Sequence, residues 1–353
     1  MTRNLLFLLF LPFSLLAQIP QYYNEVNFRE NKELIKQQIA YLITRTHNEI
    51  GYKKVWDVLD RADEDPENPK NVLLLYGYET GNESSKFSRT RSKESKHQGG
   101  SSKGKWNREH VYAKSLGTPK LIGEGDKVDA GSDAHNLRAS DGSFNSTRGN
   151  KIFEDAQGIA RSLSNNTWYP GDEWKGDVAR IIMYMYMRWG TRTKANNISA
   201  SGNTIYKVPD MPDLFLKWNI EDPVSDFERN RNEQIFYTQT NRNPFIDNPY
   251  LATLIWGGDK AEDTWGLEQI LSTNDIFAKE ETLAIYPSVA FPSETISISQ
   301  KVNHIGIFSM EGKLVHQATN TQQFPAPLQK GVYIVKMLSA ENNKPITKKM
   351  IVK

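Results

Sequence analysis

The chain has 353 residues, with 44 basic and 42 acidic side chains for a formal charge of +2, and no cysteine. Such a length holds one large domain with a smaller one, or two ordinary ones, and the near-balanced charge confines any nucleic-acid contact to a local basic patch. The missing thiols exclude disulfides, thiolate zinc sites, cysteine nucleophiles and iron–sulfur clusters, leaving oxygen and imidazole ligands that suit magnesium, calcium or manganese.

The opening, MTRNLLFLLFLPFSLLAQIP, places Arg3 before an apolar run from Leu5 to Leu16 and the small Ala17 at its end. This is the pattern of a secretory signal peptide over residues 1–17. The run is too short for a hydrocarbon core of about 30 Å, so no membrane span is expected. Pro12 argues against a buried first helix.

Leu34, Ile35, Ile39, Leu42 and Ile43 recur at helical spacing, which predicts one or two helices within residues 26–65. The apolar, aromatic stretch NVLLLYGYET, Asn71 to Thr80, has the length and composition of a strand. From Lys86 to Lys105 the chain is basic, rich in Ser and Gly and without apolar periodicity, so it reads as a loop that is either solvated or a contact for phosphate backbone.

Lys175 to Gly190 predicts a helix buried on more than one side, with Asp177 near its start and Gly190 closing it. Further helices are expected to break at Pro212, Pro223, Pro244 and Pro249. Their Met and aromatic residues read as core. Beyond about Ser272 the period becomes two, in TISISQ, HIGIFSM, KLVHQA, GVYIVKML and KKMIVK. That predicts a small all-β sandwich at residues 283–353, reached by a linker at 273–282 from a main domain at 18–272.

Two stretches concentrate groups capable of chemistry. In WNREHVYAKS, Glu109 and His110 are neighbours; in DAHNLRASDGSFNSTRGN, Asp133, His135, Asn136, Arg138, Asp141, Asn145, Arg148 and Asn150 crowd one window. Phosphodiester hydrolysis needs a base for water, a cation for the charge on phosphorus and a proton for the leaving oxygen. A histidine, a hard ion and its water can supply all three. Adjacent strand residues face opposite ways, however, so Glu109 and His110 can serve one site only if the strand twists or ends there.

NREHVYAKS followed by DAHNLRASDGSFNSTRGNKIF resembles the paired signature of the bacterial endonuclease I family, secreted or periplasmic non-specific nucleases with a ββα-metal (His-Me finger) active site. GDVARIIMYMYMRW and RNEQIFYTQTNRNPFIDNPYLATLIWG are similar to that family as well, so the likeness spans about residues 30 to 260. It implies an α+β fold, with a ββα-metal core inside a mostly helical domain. It also implies His110 as general base, Glu109 and Asn145 as ligands of one divalent ion, and Asn136 as the residue orienting the His110 ring. Magnesium is the expected ion, with calcium or manganese as alternatives. Arg148, Arg138 and Arg108 are the candidates for phosphate contact, and His135 is expected to be structural.

The last 70 or so residues, with LAIYPSVAFPSETISIS, IGIFSMEGKLV, LQKGVYIVKM and KKMIVK, resemble the C-terminal sorting domain of proteins exported by type IX secretion systems. A carbohydrate- or nucleic-acid-binding module is the competing reading, and no aromatic platform or basic stripe on alternate positions favours it. The expectation is a secreted, monomeric, metal-dependent endonuclease acting on DNA, with the choice between DNA and RNA left open by the sequence, and leaving 5′ phosphates. The rivals are a metal-dependent phosphodiesterase of small esters and an inactive surface-binding protein.

Overall fold

The computed structural model describes residues 18–272, 283–310, 312–339 and 345–353, so the expected signal peptide and linker lie outside the described residues. The first helix, α1 (Lys32–Arg45), begins where the Asn31 side chain accepts a hydrogen bond from the Leu34 amide at 3.0 Å. This satisfies one of the amides that a helix start leaves unpaired. Its Leu34, Ile35, Ile39, Leu42 and Ile43 are buried, as their spacing predicts. The second helix, α2 (Val55–Ala62), follows, and both lie within the range expected to be helical.

A three-stranded antiparallel sheet comes next, made of β1 (Glu64–Asp65), β2 (Asn68–Leu73) and β3 (Thr90–Ser92). The strand expected over Asn71–Thr80 is thus displaced toward the N-terminus. It leaves the ladder after Leu73, and Tyr76 then takes a left-handed φ of 76°. The basic segment expected as a loop contains β3, because Arg91 is buried in an ion pair with Asp141 at 2.8 Å. Arg89, Lys93 and Lys96 are also tied, to Glu173, Glu64 and Asp60. Much of that segment's charge is therefore spent on holding the segment down.

The element that frames the cleft is an antiparallel pair, β4 (Trp106–His110) and β5 (Leu137–Asp141), with Trp106 opposite Asp141 and His110 opposite Leu137. Helix α3 (Gly142–Arg148) starts directly after β5. The switch is sharp because the Asp141 carboxylate caps it, accepting from the amides of Ser143 at 2.8 Å and Phe144 at 2.9 Å. Three short strands, β6 (Ile152–Phe153), β7 (Arg161–Ser162) and β8 (Thr167–Tyr169), form a sheet in the order β6-β8-β7.

Helix α4 (Lys175–Trp189) is buried over most of its length and is closed by Gly190 at φ 56°, both as predicted. Helices α5 (Asp213–Glu221), α6 (Asp226–Gln239), α7 (Pro244–Asp247), α8 (Tyr250–Trp256) and α9 (Leu267–Ser272) complete this part. Pro212 and Pro249 stand just before α5 and α8, and Pro244 is the first residue of α7, where a missing N–H leaves nothing unpaired.

The remaining chain is β-rich: β9 (Ile285–Tyr286), β10 (Val289–Ala290), β11 (Thr295–Ser309), β12 (Leu314–Pro325), β13 (Gly331–Ser339) and β14 (Pro345–Val352). TISISQ and HIGIFSM, expected as separate strands, are one strand, β11. A register shift between Ser297 and Val302 lets its first part pair with β9 and its second with β13. The expected sandwich is thus one six-stranded hydrogen-bonded sheet, with Ile296, Ile298, Ile305, Ile307, Val335 and Met350 in its core.

Candidate active site

Strand β4 ends at His110, and this ending meets the condition that adjacent side chains could share a site only at a strand's end. Glu109, His110 and Asn145 line one open cleft of about 340 Å³, together with Tyr52, Arg108, Lys114 and Lys120. Glu109 and His110 reach it from β4, and Asn145 from the middle of α3. Among the described residues, none hydrogen-bonds the Asn145 side chain, so its amide is available to whatever enters.

His110 is buried to 9 % exposure, and its Nε2 lies 2.8 Å from the carbonyl oxygen of Gly131. A carbonyl can only accept, so Nε2 carries the proton and the lone pair of the neutral ring is on Nδ1. Burial above all, with the nearby Lys114, Arg108 and Arg148 and against the Gly131 hydrogen bond, pushes the ring's pKa down to about 3. The ring is therefore neutral at ordinary pH. Tyr52 stacks on it with centroids 5.4 Å apart, and a Cβ at Gly123 would fall 2.8 Å from Nε2, so that position needs glycine for the close approach.

Glu109 is buried to 2 % exposure. Its Oε1 accepts from the Tyr76 hydroxyl at 3.0 Å and faces the Arg148 guanidinium at 3.1 Å. Burial nevertheless raises its pKa to about 7, outweighing Arg148 and the Tyr76 hydrogen bond. The carboxylate is thus short of positive charge in a cleft open to solvent.

The donors fit a hard ion. Among the described residues, no three His, Asp or Glu side chains converge into a metal cage. Glu109 and Asn145 instead offer one carboxylate and one amide oxygen in a shared cleft, a set that suits an ion retaining several waters. A cation there would also supply the charge that Glu109 lacks.

Three expectations about individual residues need correction. Arg138 does not reach the cleft; it is fully buried, paired with Asp177 at 2.5 Å and Asp63 at 3.2 Å. Arg148 is also fully buried, donating to the carbonyls of His110 at 2.9 Å and Val111 at 2.8 Å, so it fixes the chain behind the Glu–His pair and does not meet phosphate. Asn136 does not touch the His110 ring. Its amide clamps Tyr112, accepting from that residue's N–H at 2.7 Å and donating to its carbonyl at 3.2 Å, while Gly131 orients the ring.

Of the three arginines, only Arg108 lines the cleft, held with its guanidinium 3.6 Å from the Tyr52 ring and 4.2 Å from that of Trp56. His135 is buried outside the cleft, with Nε2 3.3 Å from the Asn241 carbonyl and its ring against Tyr184. Tyr52, Tyr76, Gly131, Lys114 and Lys120 were not legible as site residues. Lys114 and Lys120 sit within ten residues of His110, and a basic residue on the turn after the pair was the available signal. The other three act across the fold and left none.

Residues 31–250 match the family model described as endonuclease I, and residues 284–353 match that of the secretion system C-terminal sorting domain. The chain is 37% identical over 251 residues to an extracellular ribonuclease of Bacillus amyloliquefaciens, covering 68% of this chain and 79% of that protein. It is 38% identical over 221 residues to an extracellular ribonuclease of Bacillus subtilis (strain 168), covering 60% of this chain and 70% of that one.

Proposed function

Because the chain belongs to the endonuclease I family and is an endonuclease carrying a C-terminal sorting domain, we propose that it is a metal-dependent, sequence-non-specific nuclease of DNA and RNA built on a ββα-metal core. It is secreted or held at the cell surface, and its sorting domain addresses it to secretion machinery. The observation that carries the proposal is the meeting of Glu109, His110 and Asn145 in one cleft, at the end of β4 and on the helix that follows β5. RNA is included because both relatives are named extracellular ribonucleases.

In this reading His110 takes a proton from water at Nδ1, with Nε2–H held by Gly131 so that the tautomer is set before substrate arrives. A bound phosphodiester brings negative charge beside the ring, which raises its basicity from the low value of the free site. Arg108, Lys114 and Lys120 hold the phosphate from the cleft wall. Glu109 and Asn145 hold the divalent ion, magnesium in the first instance. When bound, the ion would stabilise charge on the phosphate and on the leaving 3′ oxygen, and its water would supply the proton that makes the 3′ hydroxyl.

The products then carry 5′ phosphate and 3′ hydroxyl ends. Incubating the full chain with end-labelled DNA and RNA of one sequence, in magnesium, tests this by end-group analysis. Both polymers should be cut to 5′-phosphorylated fragments, and 3′-phosphate ends would sink the mechanism. A chromogenic phosphodiester cleaved faster than either polymer would favour the small-ester enzyme instead.

A further inference from the structure

Tyr76 and Arg148 meet on a single atom. The Tyr76 hydroxyl lies 3.0 Å and an Arg148 guanidinium nitrogen 3.1 Å from Glu109 Oε1, and among the described residues none hydrogen-bonds Oε2. Both partners are fully buried. Tyr76 is moreover held at φ 76°, a left-handed conformation that is strained for a bulky residue. The surrounding structure offsets that strain, since the Trp174 indole donates to the neighbouring Gly77 carbonyl at 3.0 Å and a Cβ at Gly77 would strike the Ser88 carbonyl. The result is that a phenol hydroxyl reaches Glu109 from a segment more than thirty residues away along the chain.

We propose that Tyr76 and Arg148 are positioning residues that commit Oε1 of Glu109 to the protein and leave Oε2 alone for the ion, selecting magnesium or manganese over calcium. The inference rests on the metal-dependent reading above and goes beyond it by assigning selectivity. Calcium takes six to eight oxygens and favours carboxylates that give both, whereas magnesium keeps most of its waters and is content with one oxygen from each of one or two side chains. A carboxylate with one oxygen already engaged by a phenol hydroxyl and an ion-paired guanidinium is poorly suited to grip an ion with both. Hydrogen bonds to a ligating carboxylate of this kind tune metal affinity by about 10- to 100-fold.

The test is titration calorimetry of the full chain with magnesium and with calcium, without nucleic acid, on wild type, Tyr76→Phe and Arg148→Lys. Tyr76→Phe removes one hydroxyl and should lower magnesium affinity about tenfold while calcium affinity holds or rises, so the magnesium-to-calcium ratio drops. Arg148→Lys loses its anchors on His110 and Val111 as well, so it is judged by the same ratio, with the melting temperature recorded beside it. Wild-type affinities and an unchanged ratio in Tyr76→Phe would overturn the inference and leave the nuclease reading intact. A wild-type chain that binds neither ion would overturn both.

Discussion

The two strands of the β4–β5 pair are both mostly polar and serve opposite purposes. On β4, Arg108, Glu109 and His110 all line the cleft. On β5, Arg138, Ser140 and Asp141 are all buried, answered by Asp177 and Asp63, the Leu75 carbonyl and Arg91. Asp133 just upstream is likewise internal. Its carboxylate accepts from Tyr184, Trp189 and Gln239, and its pKa is lowered to about 2 despite burial because His47, His135 and Arg188 lie near. Polar density therefore marks two things in this protein: side chains that line an open cleft, and a scaffold closed on itself by buried ion pairs.

The largest expected effect falls on β4. Replacing His110 with Ala should lower kcat by about 10² to 10⁴ if it is the general base. Binding of nucleic acid measured in EDTA should stay near wild type. Equal losses in both would move His110 from the chemistry to substrate binding and break the contrast.

On β5 the effect should be on folding. Arg138→Ala strands Asp177 in the interior and leaves Asp63 to Arg231 alone, and breaking a buried pair in this way costs roughly 3–5 kcal/mol. Urea unfolding should register that loss, with cleavage per folded molecule little changed. A stable Arg138→Ala protein with poor substrate affinity would show that this arginine reaches phosphate after all.

Smaller effects come from the cleft wall. Lys120→Ala should weaken binding of DNA and RNA alike and reduce the slope of log affinity against log salt by about 1. A thermal shift assay should show no loss of stability, since Lys120 is exposed.

The pH dependence separates the two neighbours at the end of β4. His110 and His135 have folded pKa values lowered to about 3, so the unfolded chain takes up protons near 6.5 that the folded chain refuses. Stability is present above about 6.5 and is lost as pH falls toward 3, which urea midpoints across that range would reveal. Glu109, raised to about 7, has the opposite sign: without an ion, its ionisation costs the folded state as pH rises from about 4.5 to about 7. Magnesium affinity should accordingly climb up to about pH 7 and level off above it, because below that the ion must displace a proton. A flat profile in calorimetry would deny Glu109 its place as ligand.

Much of the fold could be read in advance because it depends on local order. The stripe of α1, the Gly190 stop of α4, the proline-marked helix starts and the alternating period beyond Leu283 are all written within a few residues of where they act. Glu109, His110 and Asn145 were legible as a paired motif. What escaped reading acts at long range. Arg138 and Arg148 look like phosphate clamps until Asp63, Asp177 and Glu109 are placed around them, and nothing near Gly131 announces that its carbonyl sets the tautomer of His110.

In one open cleft a carboxylate short of positive charge sits beside a neutral histidine. The most direct test of that pair is cleavage of supercoiled plasmid and of folded RNA by the full chain, in magnesium and in EDTA. Nicking and degradation in magnesium, abolished by EDTA and restored by adding magnesium back, is the predicted result. Cleavage undiminished in EDTA, or none with any divalent ion, would contradict it.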